Sequence, residues 1–175
     1  MIGLFGKIPR NGDFVRRQLP DTFVAPWDHW LRSSMATAQD ELGPAFADLF
    51  PRASAWFYRL SAGACGPVAA GGILLPSRDA VGRLFPLTVA KLFADGTPAP
   101  DRSWYPAIEE ACRSALEQDL TADLLLEALV AADRADAGGP GEAPAEGWWT
   151  SAGRELRMPG LPPADRFAIL LREDA

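Results

Sequence analysis

The sequence contains one histidine, two cysteines and no long hydrophobic run among its 175 residues. A chain with a single histidine is a poor candidate for a zinc site, because such sites draw on several His and Cys ligands. The longest apolar stretch, residues 68–76, is interrupted by Gly71 and Gly72 and is too short to span a bilayer. The first residues also lack a basic segment followed by an apolar one, so we expect neither a signal peptide nor a membrane span.

The motifs of several common chemistries are missing as well. There is no glycine-rich motif for nucleotide phosphates, no H-E-x-x-H, no C-x-x-C and no G-x-S-x-G. Cys65, His29 and Asp13 can be written as a nucleophile, a base and an orienting residue, but nothing in their spacing supports a contact. We therefore expect no catalytic residues, no metal and no cofactor. Cys65 and Cys112 are expected to be small buried apolar side chains, and His29 is expected to be exposed or at the rim of the core.

The charge of the chain is acidic overall but uneven along the sequence. Seventeen Lys and Arg against 23 Asp and Glu give a net charge of -6, which disfavours nonspecific binding to nucleic acid or an anionic membrane. Residues 1–20 carry four basic residues and one acid, whereas residues 101–136 carry nine acids and three arginines. Two interpretations stay open: both regions are ordinary solvated surface, or the molecule is polarised and binds partners of opposite sign on two faces.

Hydrophobic periodicity predicts an α/β (α+β) fold. The predicted elements are a strand at 2–6, a loop at 7–20, a long helix with Asp21 as N-cap, strands at 54–61, 68–75 and 85–93, helices at 103–120 and 121–132, and a strand at 148–150. Gly43-Pro44 either ends the long helix or breaks it before residues 45–50. Closely spaced strands favour an antiparallel meander. We therefore expect one domain over residues 1–175, with a central, mainly antiparallel sheet flanked by helices. The strand, long helix and meander occupy 1–95, and the helical segment and closing strands occupy 100–175.

The first local signature is the loop that follows the opening strand. Asn-Gly-Asp is a turn former, because Gly12 can adopt a positive φ and Asp13 can cap the amides that follow it. Phe14 at the tip of this loop is either pinned into the core or presented to a partner. The candidate partner-binding residues of this loop are Lys7, Arg10, Asp13, Phe14, Arg16 and Arg17.

The second signature surrounds Arg83, which precedes Phe85 and Pro86 at the entrance of a strand. A lone arginine among apolar residues usually pairs with a carboxylate. Our candidate for that carboxylate is Asp13, and the pair is expected to be structural.

The third signature is the pair Trp148-Trp149. Adjacent residues of a strand point to opposite faces of the sheet, so Trp149 is expected in the core. Trp148 is a candidate exposed anchor for a partner, since exposed Trp is common at interfaces. The alternative, in which both rings are covered by helices, is equally open.

The longer motifs are Gly3-x-x-Gly6-Lys7-x-Pro9 with Gly12-Asp13-Phe14-Val15, Phe23-x-x-Pro26-Trp27-Asp28-x-Trp30-Leu31, Cys65-Gly66-Pro67, Gly72-x-Leu74-x-Pro76-Ser77, Val81-Gly82-Arg83-x-Phe85-Pro86-Leu87-Thr88 and Trp148-Trp149-Thr150. Together they resemble the TagF family, accessory proteins of bacterial type VI secretion. The resemblance extends over essentially the whole chain. It is strong in residues 1–90 and weaker through 100–145, where only the helical pattern matches.

The resemblance implies a longin-like or profilin-like α/β sandwich and a cytoplasmic regulatory protein without catalytic activity. TagF proteins are associated with post-translational repression of type VI secretion through the system's forkhead-associated scaffold protein. The implied partner is that scaffold or a baseplate component, with no nucleic acid and no membrane; homodimerisation is left open. Two alternatives remain: a structural or assembly subunit of the apparatus, or a small cysteine hydrolase using Cys65, which would need an accessible thiol of low pKa.

Overall fold

Seven β-strands form the centre of the computed structural model, which describes residues 1–93, 97–135 and 142–172. The strands are β1 (Ile2–Gly6), β2 (Val15–Arg17), β3 (Trp56–Leu60), β4 (Ala69–Leu75), β5 (Leu87–Phe93), β6 (Gly147–Trp149) and β7 (Glu155–Leu156). They lie in the order β2-β1-β5-β4-β3-β6-β7, and each neighbouring pair is antiparallel. The predicted meander is therefore confirmed as β3-β4-β5, and the opening strand pairs with its last member.

Helices cover both faces of the sheet. They are α1 (Asp21–Leu42), α2 (Phe46–Leu49), α3 (Trp104–Glu117), α4 (Ala122–Ala135) and α5 (Ala168–Leu171), with 3-10 turns at Gly43–Ala45, Phe50–Arg52 and Ala164–Arg166. The apolar stripe of α1 belongs to one core, and those of α3 and α4 belong to a second core on the opposite face. The expected antiparallel sheet flanked by helices is confirmed. That residues 1–175 form one domain stays a prediction.

The two-residue period of the strands distributes aromatic side chains between these cores. On β3, Tyr58 faces α1, whereas its neighbour Phe57 faces α3 and α4. Trp148 and Trp149 on β6 pair with these two residues and divide in the same way. Both faces of the central strands are buried, so their sequences read as continuous apolar runs.

The glycine pair of β4 makes room for two tyrosines, one on each face. A Cβ at Gly72 would lie 2.5 Å from the Tyr58 hydroxyl oxygen and 2.0 Å from the Val89 carbonyl oxygen. The Tyr58 hydroxyl crosses this gap and donates a hydrogen bond to the same carbonyl at 3.0 Å. On the other face, a Cβ at Gly71 would lie 2.8 Å from the Tyr105 hydroxyl oxygen. The glycines therefore serve close packing inside the sheet.

Two local predictions are wrong. Asp21 is not the N-cap of α1: Pro20 occupies that position without a side-chain cap, and Asp21 is the first helical residue. An acid in the first turn is still favourable, because it faces the positive end of the helix dipole. Residues 7–20 are also not loop throughout, since Val15–Arg17 forms β2 and pairs with β1.

Candidate functional site

A buried carboxylate, Asp79, joins the loop after β1 to the loop between β4 and β5. One of its oxygens accepts hydrogen bonds from the Lys7 ammonium at 2.9 Å and from Arg83 Nε at 2.7 Å. The other accepts the backbone N–H groups of Val81, at 3.1 Å, and Arg83, at 2.9 Å. We call Lys7, Asp79 and Arg83 the Asp79 clamp.

The electrostatics of the clamp keep Asp79 ionised. Burial by itself raises the pKa of the carboxyl, but the hydrogen bonds from Lys7 and Arg83 outweigh it and hold the pKa well below its usual range. The side chains of Lys7 and Asp79 are buried, whereas that of Arg83 is 61% exposed. Lys7 and Arg83 both have Asp79 as a fixed counter-charge, so the clamp has a structural role. It also leaves the Arg83 guanidinium at the surface.

Asp13 is not the carboxylate partner of Arg83, contrary to expectation. Its side chain accepts the N–H of Phe14 at 2.8 Å, and Arg83 instead donates to the Gly12 carbonyl at 2.6 Å. Gly12 does not adopt the left-handed conformation expected of it. The loops still meet as predicted, but through a backbone carbonyl and Asp79. The signal that was missed is Asp79 followed by Gly82, a spacing typical of a turn stabilised by a carboxylate.

Phe14 is pinned against the core, which decides between its two interpretations. Its ring stacks on Phe5 with centroids 5.8 Å apart and meets the Phe85 ring edge-on at 4.8 Å. The Arg32 guanidinium carbon and the Lys7 ammonium lie 5.1 Å and 5.2 Å from the centroid of the same ring. Aromatic contact and cation–π attraction both hold the loop in place.

The basic residues of the N-terminal segment pair with acids of the same chain. The pairs are Lys7–Asp79, Arg10–Asp119, Arg16–Asp21 and Arg17–Asp123. Two of these acids come from the acidic region 101–136, so the basic and acidic regions are neighbours and not opposite faces. The last three pairs are solvent-exposed, and exposed pairs add little stability. Lys7, by contrast, is buried and not free to meet a partner.

The expected exposure of one tryptophan of the Trp148-Trp149 pair is wrong. Trp148 is 1% and Trp149 8% exposed. The Trp148 indole N–H donates to the Gly160 carbonyl at 2.9 Å, so the segment after β7 covers it. The alternative in which both rings are covered is the observed one, and Trp148 is not an exposed anchor.

The remaining structural motif residues join elements that are distant in sequence. Trp27 donates its indole N–H to the Thr88 hydroxyl on β5 at 2.8 Å, and Trp30 donates to the Pro162 carbonyl at 2.7 Å. Pro86 meets Gly6, where a Cβ would lie 2.1 Å from the Pro86 carbonyl oxygen. Segments that carry different motifs of the sequence are therefore in direct contact with one another.

Comparison with known proteins places these motifs in a family. The model of the TagF N-terminal domain, type VI secretion system-associated, matches residues 3–132. The chain belongs to the TagF N-terminal domain family. Among solved structures, it is similar to PA0076 from Pseudomonas aeruginosa PAO1, determined by crystallography. The sequence identity is 31%, the TM-score is 0.84, and the match covers 100% of this chain and 96% of that one. A comparison with curated proteins gives no match.

The thiols of this TagF-family chain are buried, as the sequence predicts. Cys65 is 4% exposed, and burial raises the pKa of its thiol to about 12. Burial also raises the pKa of Cys112. His29 is exposed on α1. An activated cysteine nucleophile requires an accessible thiol with a lowered pKa, and both thiols have the opposite properties.

Two of the surface cavities in the described part of this TagF-family chain are lined by arginine. One, of about 390 Å³, lies against β6 and β7 and includes Arg102 and Arg157 in its walls. The other, of about 190 Å³, lies beside the Asp79 clamp and includes Ser77 and Arg78. Within residues 1–93, 97–135 and 142–172, no helix combines the length and the apolar character that crossing a membrane requires.

Proposed function

We propose that this chain is a non-catalytic cytoplasmic protein that regulates type VI secretion by binding another component of the system. The family match carries this proposal, since it extends over residues 3–132 and the family is type VI secretion system-associated. The resemblance described above favours the forkhead-associated scaffold as the partner and repression as the outcome.

The geometry of the Asp79 clamp supports a binding role better than a catalytic one. Lys7, Asp79 and Arg83 are held in fixed ion pairs, and the clamp leaves no proton acceptor or nucleophile exposed. It does fix a turn at whose tip Val81 is 71% exposed. The Ala80 N–H donates to the Asn11 carbonyl at 2.9 Å, so the turn is held on both sides. A preformed, rigid surface loses less conformational entropy on binding than a flexible one.

The surface arginines of the N-terminal segment are the proposed partner contacts. Arg10, Arg16 and Arg17 are joined to exposed carboxylates that solvent already screens. An acidic partner can replace those carboxylates at small cost, and long-range attraction speeds the encounter. Lys7 and Phe14 then act as positioning residues beneath the surface.

The test is a pull-down of the tagged chain from its own cells, with partners identified by mass spectrometry. The wild type is compared with Arg16→Glu/Arg17→Glu and with Arg134→Glu/Arg166→Glu, a control that changes the charge equally at exposed positions elsewhere. The forkhead-associated scaffold or another secretion component should be recovered with the wild type and the control and lost with the first variant.

Three outcomes oppose the proposal or a part of it. Recovery of no secretion component from cells that express the system contradicts the proposed function. Equal recovery with Arg16→Glu/Arg17→Glu contradicts only the assignment of the surface. Stoichiometric presence of the chain in purified sheath or baseplate particles would instead identify a structural subunit.

A further inference from the structure

The smaller cavity has rigid, apolar walls contributed by separate parts of the chain. Its volume is about 190 Å³, and its apolar lining residues are Pro9, Pro51, Pro76, Leu84 and Leu116. These residues come from the loop after β1, the 3-10 turn after α2, the end of β4, the loop before β5 and the last turn of α3. Proline fixes its own φ, so three of the five walls are conformationally restricted. The cavity is preformed and large enough for about one apolar side chain.

Two polar groups in the same cavity have unmet binding capacity. The Ser77 hydroxyl oxygen is buried and has no hydrogen-bond partner in the described structure. Arg78 is exposed, and no ion pair or side-chain hydrogen bond is found for it among the described residues. A buried hydroxyl without a partner costs free energy, so a ligand that pairs with it is favoured.

Both residues are held in place by the backbone. The Ser77 carbonyl accepts the Phe85 N–H at 3.1 Å, and Arg78 forms an antiparallel bridge with Leu84. These contacts fix the main chain at the cavity wall, so the Cβ atoms of Ser77 and Arg78 have defined positions.

The charge that lines the cavity is positive, and two acids adjoin lining residues: Asp79, which follows Arg78, is paired with Lys7 and Arg83, and Glu117 follows Leu116. No acidic side chain lines it, and Arg78 is its one ionisable lining residue within the described chain. Arg52, next to the lining residue Pro51, bonds through Nε to the Asp48 carbonyl at 2.9 Å, and no carboxylate partner is found for it in the residues described. The cavity therefore complements an anion attached to an apolar group.

We propose that this cavity binds an acidic, apolar segment of a partner protein. A branched apolar side chain enters between the prolines and Leu84. A neighbouring Asp or Glu carboxylate accepts hydrogen bonds from the Arg78 guanidinium and the Ser77 hydroxyl. Charge-assisted bonds of this type are stronger than neutral ones and give the site its preference for an acid. The inference deepens the proposed function, since it specifies the chemistry of the partner segment.

The test titrates short blocked peptides into the isotope-labelled full chain and follows backbone amide shifts. The probe is acetyl-Asp-Leu-Asp-amide, in which an acid lies on each side of the apolar residue. Saturable shifts at Ser77, Arg78, Leu84 and Leu116 are expected, with affinity in the millimolar range that suits so small a ligand. Acetyl-Asn-Leu-Asn-amide and acetyl-Asp-Ala-Asp-amide should bind about fivefold more weakly or worse.

Protein variants separate the polar contacts from general changes in charge. Arg78→Gln should weaken the probe about fivefold or more, whereas Arg166→Gln, at an exposed arginine outside the lining residues, should leave it unchanged. Ser77→Ala should weaken the probe without altering the fold, because it removes a hydroxyl that has no partner.

Several results would overturn the inference. Absence of shifts at the lining residues, equal binding of the Asn peptide, or wild-type affinity in Arg78→Gln would each contradict it. Tighter binding of acetyl-Asn-Leu with a free carboxyl group would assign the cavity to a chain terminus. Because these titrations use the purified chain, their failure leaves the pull-down result unaffected, and the converse is also true.

Discussion

The Lys7 ammonium lies 2.9 Å from a carboxylate oxygen of Asp79, and both side chains are buried. The two residues are 72 positions apart in the sequence, so their contact fixes the loop after β1 against the loop that precedes β5. The same Asp79 carboxylate accepts the N–H groups of Val81 and Arg83, so the pair also holds the exposed turn around Val81.

Replacement of Asp79 by Asn should destabilise the protein markedly. The substitution leaves the buried Lys7 ammonium without a counter-charge, which is among the more damaging changes to a folded chain. We expect Asp79→Asn to lower the melting temperature by about 5 °C or more, as measured by circular dichroism. Asp13→Asn is the control, because Asp13 is exposed and, among residues 1–93, 97–135 and 142–172, its side chain bonds only to the adjacent N–H of Phe14. Equal melting temperatures for the two variants would refute a stabilising role of the clamp.

The lowered pKa of Asp79 predicts that the stability of the folded chain depends on pH. The pKa of Asp79 is lower in the folded chain than in the unfolded chain, so its stabilisation is complete above the unfolded value, near 3.9. That stabilisation decreases as the pH falls from the unfolded pKa toward the folded one. Thermal melts from pH 7 to pH 3 should therefore show a constant difference between wild type and Asp79→Asn down to about pH 5, then a narrowing one. If the difference in melting temperature between wild type and Asp79→Asn widens on acidification, the predicted direction of the pKa shift is wrong.

Gly72 should tolerate no side chain. A Cβ there would overlap the Val89 carbonyl oxygen and the Tyr58 hydroxyl, which are part of one hydrogen bond inside the sheet. Overpacking of this kind costs about 1–3 kcal/mol or more, and we expect Gly72→Ala to lose at least about 2 kcal/mol of unfolding free energy in urea. Gly12→Ala is the matched control, since nothing lies within 4 Å of a Cβ at Gly12. If both variants unfold at the same urea concentration, the packing explanation fails.

Cys65 should be nearly unreactive in the native chain. Its thiol is buried, its pKa is raised to about 12, and its Sγ lies 3.7 Å from the Phe23 carbonyl oxygen. We expect a disulfide reagent such as dithiobis-nitrobenzoate to react about a hundredfold or more slowly at pH 8 than in guanidinium-unfolded protein. Rapid reaction of the native thiol would revive the cysteine hydrolase alternative.

Sequence periodicity predicts the elements that bury a continuous or periodic apolar face. The stripe of α1 and the runs of β3, β4 and β5 have this property, and they lie where the pattern places them. The short strands β2 and β7 have three and two residues, too few for any period, and were missed. They form strands because they pair with β1 and β6 at the two edges of the sheet, and their own residues do not predict it.

The sequence predicts which loops meet at the candidate site but not which side chains join them, because those contacts are tertiary. The meeting of the Gly12 loop with Arg83 follows from two turn-rich segments at adjacent strand ends. The choice of Asp79 over Asp13 depends on which carboxylate is buried, and no sequence rule determines that. Burial of Trp148 similarly requires the Gly160 segment, which folds back over β6.

The proposed regulation of type VI secretion by this chain can be measured in cells. Proteins exported by the system are quantified in the culture medium of the parent strain, of a strain lacking this chain, and of that strain with the wild-type chain restored. If the chain represses secretion, we expect increased export without the chain and return to the parental level on restoration. Unchanged export would contradict a regulatory role, and complete loss of export would point to a subunit that assembly requires.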